Sequence, residues 1–171
     1  MLDDTQLQQV MYAMTLNAAA CPTAVAEVTS LCGQIPQRGQ DMGAHFNQCG
    51  HDALLALWKK LIIEHPDVAA FAESEWATYQ SRISQPMPPL AAQAMNAAGA
   101  LASEAAAIVK SEPPVAPEEA QRRFAICEQC DCFNPDEARC SKCGCYMRVK
   151  TTFRTATCPD GKWAVDTTPS A

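Results

Sequence analysis

The sequence predicts a mainly α-helical protein: an N-terminal helical bundle, a long alanine-rich helix, and a small C-terminal zinc ribbon with short β-hairpins. Three observations lead there. Apolar residues recur at helical spacing through the first 85 positions, residues 90–110 are nearly half alanine, and seven of the ten cysteines crowd between Cys127 and Cys158. The expected division is a helical domain over 1–85, the alanine-rich helix with proline-rich linkers over 86–117, the ribbon over 118–163, and a tail over 164–171.

Asp3 and Asp4 suit a helix N-terminus, and Leu7, Val10, Met11, Met14 and Ala18 follow on one face. Pro22 interrupts that pattern. Cys21, Val25, Val28 and Cys32 then line a second short helix, which Gly33 and Pro36 end. A glycine-dotted stretch runs to Gly50. Leu54, Leu57, Trp58, Leu61 and Ile62 form the clearest stripe, with Asp52, Lys59, Lys60 and Glu64 outside it. Pro66 stops that helix and can sit in the first turn of the next, where Val68, Ala72, Trp76, Tyr79 and Ile83 repeat at intervals of three and four.

Pro86, Pro88 and Pro89 make a stiff break before Leu90–Lys110. Alanine gives this segment high helix propensity, and Ala94, Leu101 and Ile108 lie seven residues apart. Such a narrow seam buries little area, so the helix is expected to lean on something, either the first four helices or another copy of itself. Pro113, Pro114 and Pro117 form a second linker, and Pro117, Glu118 and Glu119 start a short helix into the first cysteine.

With 171 residues, 48% apolar and 19% charged, the chain has the composition of a soluble globular protein. Its net charge of −6 gives no global attraction to nucleic acid or to an anionic membrane. The negative charge belongs to the front: ten acids and five bases precede residue 111, against six of each in 127–171. Two acids stand where a secretory leader would carry positive charge, and no apolar run approaches the ~20 residues that span a bilayer. The expectation is a cytoplasmic protein with no signal peptide and no membrane partner.

Cys127 and Cys130 form one C-x2-C pair, Cys140 and Cys143 another, nine residues apart. Two tight turns, each presenting two thiolates, can converge four sulfurs on a tetrahedron at ~2.3 Å from one Zn²⁺ per chain; iron in the same cage is chemically allowed. The energetics agree. Residues 127–145 hold few large apolar side chains, while ordering their backbone costs about 1–2 kcal/mol per residue. A structural zinc supplies on the order of 10–16 kcal/mol. Cys132, Cys145 and Cys158 are possible alternative or second-site ligands, in a bridged cluster or by ligand exchange. A Cys145–Cys158 disulfide or plain buried thiols also fit.

A four-thiolate zinc site carries a formal charge of about −2, which Arg139, Lys142, Arg148 and Lys150 can partly compensate. Bases here also suit nucleic acid, with Arg148, Lys150, Arg154 and Lys162 as the candidate contacts. Tyr146, Phe153 and Trp163 are expected in the module's core, Trp163 as a lid over the ribbon.

The stretch from Arg123 to Trp163 resembles a poorly characterised cysteine-rich module of tailed-bacteriophage and bacterial hypothetical proteins. The matching residues are Arg123, Ile126, Cys127, Cys130, Cys140, Cys143, Gly144, Cys145, Lys150, Cys158, Pro159, Gly161, Lys162 and Trp163. Cys132 departs from the pattern. The resemblance implies a metal-binding module and a phage setting, hence a virion location if phage-encoded, and it raises the weight of Cys145 and Cys158.

No G-x-S-x-G, H-E-x-x-H, P-loop or dinucleotide fingerprint is present, and a closed four-sulfur zinc leaves no open position for substrate. Dithiol redox chemistry at Cys140-Ser-Lys-Cys143 is the best enzymatic alternative but lacks a βαβ context. His45 and His51 flank Cys49 and, with Cys32 or Cys21, could be imagined as a further metal site; unpaired spacing favours core thiols instead. The expected function is a non-catalytic protein-interaction or assembly component, through a protein partner or self-association. The alternative is a nucleic-acid-associated accessory factor.

Overall fold

The computed structural model describes residues 2–36, 49–110, 112 and 115–164. Among these the chain forms seven α-helices, one 3-10 turn and a two-stranded antiparallel sheet, in two compact units, Met1–Ser81 and Arg82–Ala171.

In the first unit, α1 (Asp4–Leu16) starts from Asp3, whose carboxylate accepts the Gln6 N–H while the Gln6 side chain accepts the Asp3 N–H. Two donors that the helix leaves open are thus satisfied reciprocally. A 3-10 turn (Ala18–Ala20) leads to α2 (Pro22–Cys32), which Gly33 ends at φ 76°. Then come α3 (His51–Glu64) and α4 (Pro66–Ile83), with Pro66 opening the helix as its fixed φ allows. Val10, Met11, Met14, Val28, Leu54, Trp58, Leu61 and Val68 are the closed core. The largest of these has its polar end answered: the Trp58 indole N–H donates to Thr15 Oγ1 at 3.1 Å, and the Thr15 hydroxyl donates to the Met11 carbonyl at 2.8 Å.

Cys32 and Cys49 form a disulfide. This corrects the sequence-based reading of Cys32 as a plain core thiol and removes both sulfurs from any metal site with His51. The ring of His51 instead meets Asp52 at 3.3 Å. His45 lies outside the described residues, as does all of the 164–171 tail except Ala164. Cys21 is a buried free thiol, as expected of a residue on an apolar stripe.

The second unit begins in the last turn of α4. It contains α5 (Leu90–Val109), α6 (Pro117–Glu128), β1 (Phe133–Asn134), β2 (Arg139–Cys140) and α7 (Met147–Lys150). The strands pair Phe133 with Cys140 and Asn134 with Arg139. The Asn134 side-chain oxygen accepts the N–H groups of Asp136 and Glu137 and shapes the connection between them. Arg82 fastens the end of α4 here, donating from Nε to the Phe133 carbonyl at 3.0 Å and from Nη2 to the Glu128 carbonyl at 2.5 Å.

The alanine-rich α5 leans on the cysteine module. Gln93, Asn96, Ala100, Glu104 and Ala107 recur at steps of three and four, which puts them on one helix face. Asn96 Nδ2 donates to the Cys143 carbonyl at 3.0 Å, and Glu104 accepts the N–H groups of Arg154 and Thr155 at 3.0 and 3.1 Å. Its large apolar side chains are exposed: Leu90 by 79%, Leu101 by 59% and Ile108 by 67%. No described helix is long and apolar enough to cross a membrane.

Candidate metal centre

Three turns present the sulfurs. Cys127 lies in the last turn of α6, and its carbonyl accepts the Cys130 N–H at 2.9 Å. Cys140 ends β2, and its carbonyl accepts the Gly144 N–H at 2.7 Å while its own N–H donates to the Cys145 carbonyl at 3.2 Å. Cys158 begins the third turn: its N–H donates to the Trp163 carbonyl, and its carbonyl accepts the Gly161 N–H, both at 3.0 Å. Gly144 has φ 71°, and a Cβ there would come within 2.5 Å of the Gln93 side chain on α5, so both backbone and space require glycine.

Cys127, Cys130, Cys140 and Cys143 are all buried, in one cluster with Phe133, Met147, Ala156 and Trp163. Cys127, Cys130 and Cys140 line a cavity of about 20 Å³ together with Cys158, and Trp163 closes part of its wall. Cys143 sits against Cys140 rather than on that cavity. Cys132, Cys145 and Cys158 are half-buried free thiols at the cluster's edge.

The surrounding donors suit a metal-bound thiolate set. The Trp163 indole N–H donates to Cys127 Sγ at 3.3 Å, Lys162 Nζ to Cys130 Sγ at 3.1 Å, and Lys150 Nζ to Cys143 Sγ at 3.6 Å. Such N–H groups orient sulfur ligands and offset their charge. Arg123 is fully buried: its Nη1 donates to the Phe153 carbonyl, its Nε pairs with Glu119 at 2.9 Å, and its guanidinium stacks on Trp163 at 5.1 Å. A buried cation of this kind is costly without nearby negative charge, which Glu119 supplies, while its Nη2 is left without a hydrogen-bond partner.

Burial pushes the Cys127 thiol up to about 11, and the hydrogen bond with Cys143, together with burial, raises Cys140 further. Such buried sulfurs stay protonated near neutral pH unless a metal replaces the proton. Cys145 differs: its hydrogen bond with Cys143, helped by the Lys150 charge, brings it down to about 6. Among the described residues one donor group is compact enough to hold a metal ion: the ligand atoms of Cys130, Cys132 and Asp160 all lie within 4.8 Å of one another, whereas no three of Cys127, Cys130, Cys140 and Cys143 come within that distance of one another.

The four candidate nucleic-acid contacts all have partners within the second unit. Lys150 and Lys162 point at sulfurs, Arg148 lies over the Phe124 ring at 4.7 Å, and Arg154 pairs with Glu112 at 3.7 Å. Trp163 is buried as expected of a lid, with the Arg123 guanidinium 5.1 Å and the Lys150 ammonium 6.0 Å from its ring. Phe153 packs at the cluster's edge. Tyr146 corrects the expectation of a core residue: it is 60% exposed, under the Arg139 guanidinium at 4.8 Å. Sequence reasoning missed the sulfur-directed roles of Lys150, Lys162 and Trp163 and the buried role of Arg123, though all four follow or precede a cysteine within seven residues.

Comparison with protein-family models, with curated proteins and with solved structures finds no match to this chain.

Proposed function

We propose that the protein is a non-catalytic assembly component in which one tightly held zinc stiffens the cysteine module and α5, seated on that module, docks a second copy of the chain. Zinc is the ion the chemistry favours: thiolate-rich donors on tight turns and N–H groups on the sulfurs suit a borderline-soft divalent cation with no redox demand. The observation that carries the docking role is the exposure of Leu90, Leu101 and Ile108 on α5. With Ala94 they form a narrow heptad-spaced stripe beside the face that meets the module, and such stripes pair with their own kind.

The resemblance to bacteriophage and bacterial proteins supports a virion or accessory setting for such a part. The nucleic-acid reading has less support, because its four basic side chains are engaged within the second unit. Native mass spectrometry of the full chain tests the proposal by reporting metal and copy number together. The expected result is zinc-loaded dimers that become zinc-loaded monomers in the Leu101→Glu/Ile108→Glu variant. A wild-type chain that stays monomeric at tens of micromolar overturns the docking role, and a chain that holds no stoichiometric metal overturns the zinc reading.

A further inference from the structure

We infer that the module carries a second, weaker metal position at its rim, formed by Cys130, Cys132 and Asp160, with the Cys130 sulfur shared between it and the inner cluster. The inference rests on the metal-binding reading above and adds a site to it. The ligand atoms of the three residues lie within 4.8 Å of one another, and Cys132 Sγ is 3.4 Å from Asp160 Oδ2. A tetrahedral zinc with sulfur at ~2.3 Å and oxygen at ~2.1 Å needs ligand pairs separated by about 3.5–3.8 Å, so only small side-chain movements are required.

Two turns hold the donors from opposite sides. The Cys132 carbonyl accepts the Ser141 N–H at 2.7 Å, which fixes that strand of backbone, and Asp160 sits in the Cys158–Gly161 turn. Cys130 and Asp160 both also line the inner cavity, so the rim position adjoins it. Burial grades outward from Cys130 through Cys132 to exposed Asp160, leaving the fourth corner to water. Two sulfurs and one carboxylate select zinc or cadmium over magnesium or calcium.

Two ammonium groups now balance these donors, Lys162 on Cys130 at 3.1 Å and Lys142 on Asp160 at 3.7 Å. An incoming ion displaces them and meets only three protein ligands. Both features make this position weaker and faster to exchange than the inner one.

Zinc titration of the full chain, followed by native mass spectrometry with a competing chelator, separates the two positions. The expected wild-type result is one zinc retained at chelator levels that strip a second, with the second at least tenfold weaker. Cys132→Ser and Asp160→Asn should each keep the first zinc and lose the second. A wild-type chain that never exceeds one zinc overturns the inference while leaving the structural zinc intact, and so does a Cys132→Ser chain that still takes two. A chain that binds none overturns both.

Discussion

The indole N–H of Trp163 donates to the sulfur of Cys127 across 3.3 Å, joining the end of the module to its first cysteine over 36 positions of sequence. The same ring carries the buried Arg123 guanidinium at 5.1 Å on its face. Trp163 therefore both closes the cavity and orients a sulfur. Trp163→Phe keeps the ring and deletes the donor, whereas Trp163→Ala deletes both. Loss of such an outer partner costs about 10–100-fold in metal affinity, so metal release to a coloured chelator should be fastest for Trp163→Ala and intermediate for Trp163→Phe.

Chelation should unfold the cysteine module and spare the first unit. The small core around Phe133, Met147 and Trp163 cannot offset the backbone ordering alone. Hydrogen exchange with and without chelator is the measurement. Amides of residues 127–163 should lose protection while those of α1 and α3 keep theirs.

Arg123 is buried without exposure; Glu119 answers its Nε, the Phe153 carbonyl its Nη1 and the Trp163 face its charge, while Nη2 has no hydrogen-bond partner. Arg123→Ala leaves those groups unpaired and opens a cavity, at a cost of about 2–4 kcal/mol. Arg123→Lys should recover little, since an ammonium cannot span the same fork. Urea unfolding of the metal-loaded chain reads both values.

Reducing the Cys32–Cys49 disulfide frees a loop of 17 residues' separation in the first unit. Loop-closure entropy puts the loss at about 3 kcal/mol. Dithiothreitol should lower the midpoint of the first unit's thermal transition, and Cys32→Ala/Cys49→Ala should reproduce that shift without reductant.

Glu104 predicts a pH dependence for the seat of α5. Burial raises its carboxyl, but the N–H groups of Arg154 and Thr155 and the Thr155 hydroxyl together outweigh this and hold it below its ordinary value. A depressed folded value stabilises the native state above the unfolded carboxylate pKa, about 4.3, and that contribution fades as pH falls through the lower folded value. The stability difference between the natural chain and Glu104→Gln should be constant near neutrality and shrink in acid.

Much of the helical architecture was legible because its signals are local. Pro22, Pro66 and Pro117 each open a helix, Gly33 ends one, and the stripe through Leu54, Trp58 and Leu61 reads directly as a buried face. The clustering of the cysteines was legible for the same reason. What stayed hidden depends on long-range contact. Nothing in the spacing of α5 says that Asn96 and Glu104, rather than its leucines, face the module. Lys150 and Lys162 read as surface bases because a sequence pattern reports charge, while the direction of a long side chain is set by what folds beside it. The pairing of Cys32 with Cys49 left no paired-spacing signal, and Tyr146 misled because aromatic residues suggest core even where an arginine covers one from outside.

On the reading proposed above, the seat of α5 on the cysteine module would tie the presentation of one surface to the supply of an ion. Its inner face is gripped at the Cys143 carbonyl and at Arg154 and Thr155, all in segments that the metal would set in place. A cell short of zinc would thus make a chain whose sticky stripe has no platform to display it, and assembly would wait on the metal rather than on the amount of protein.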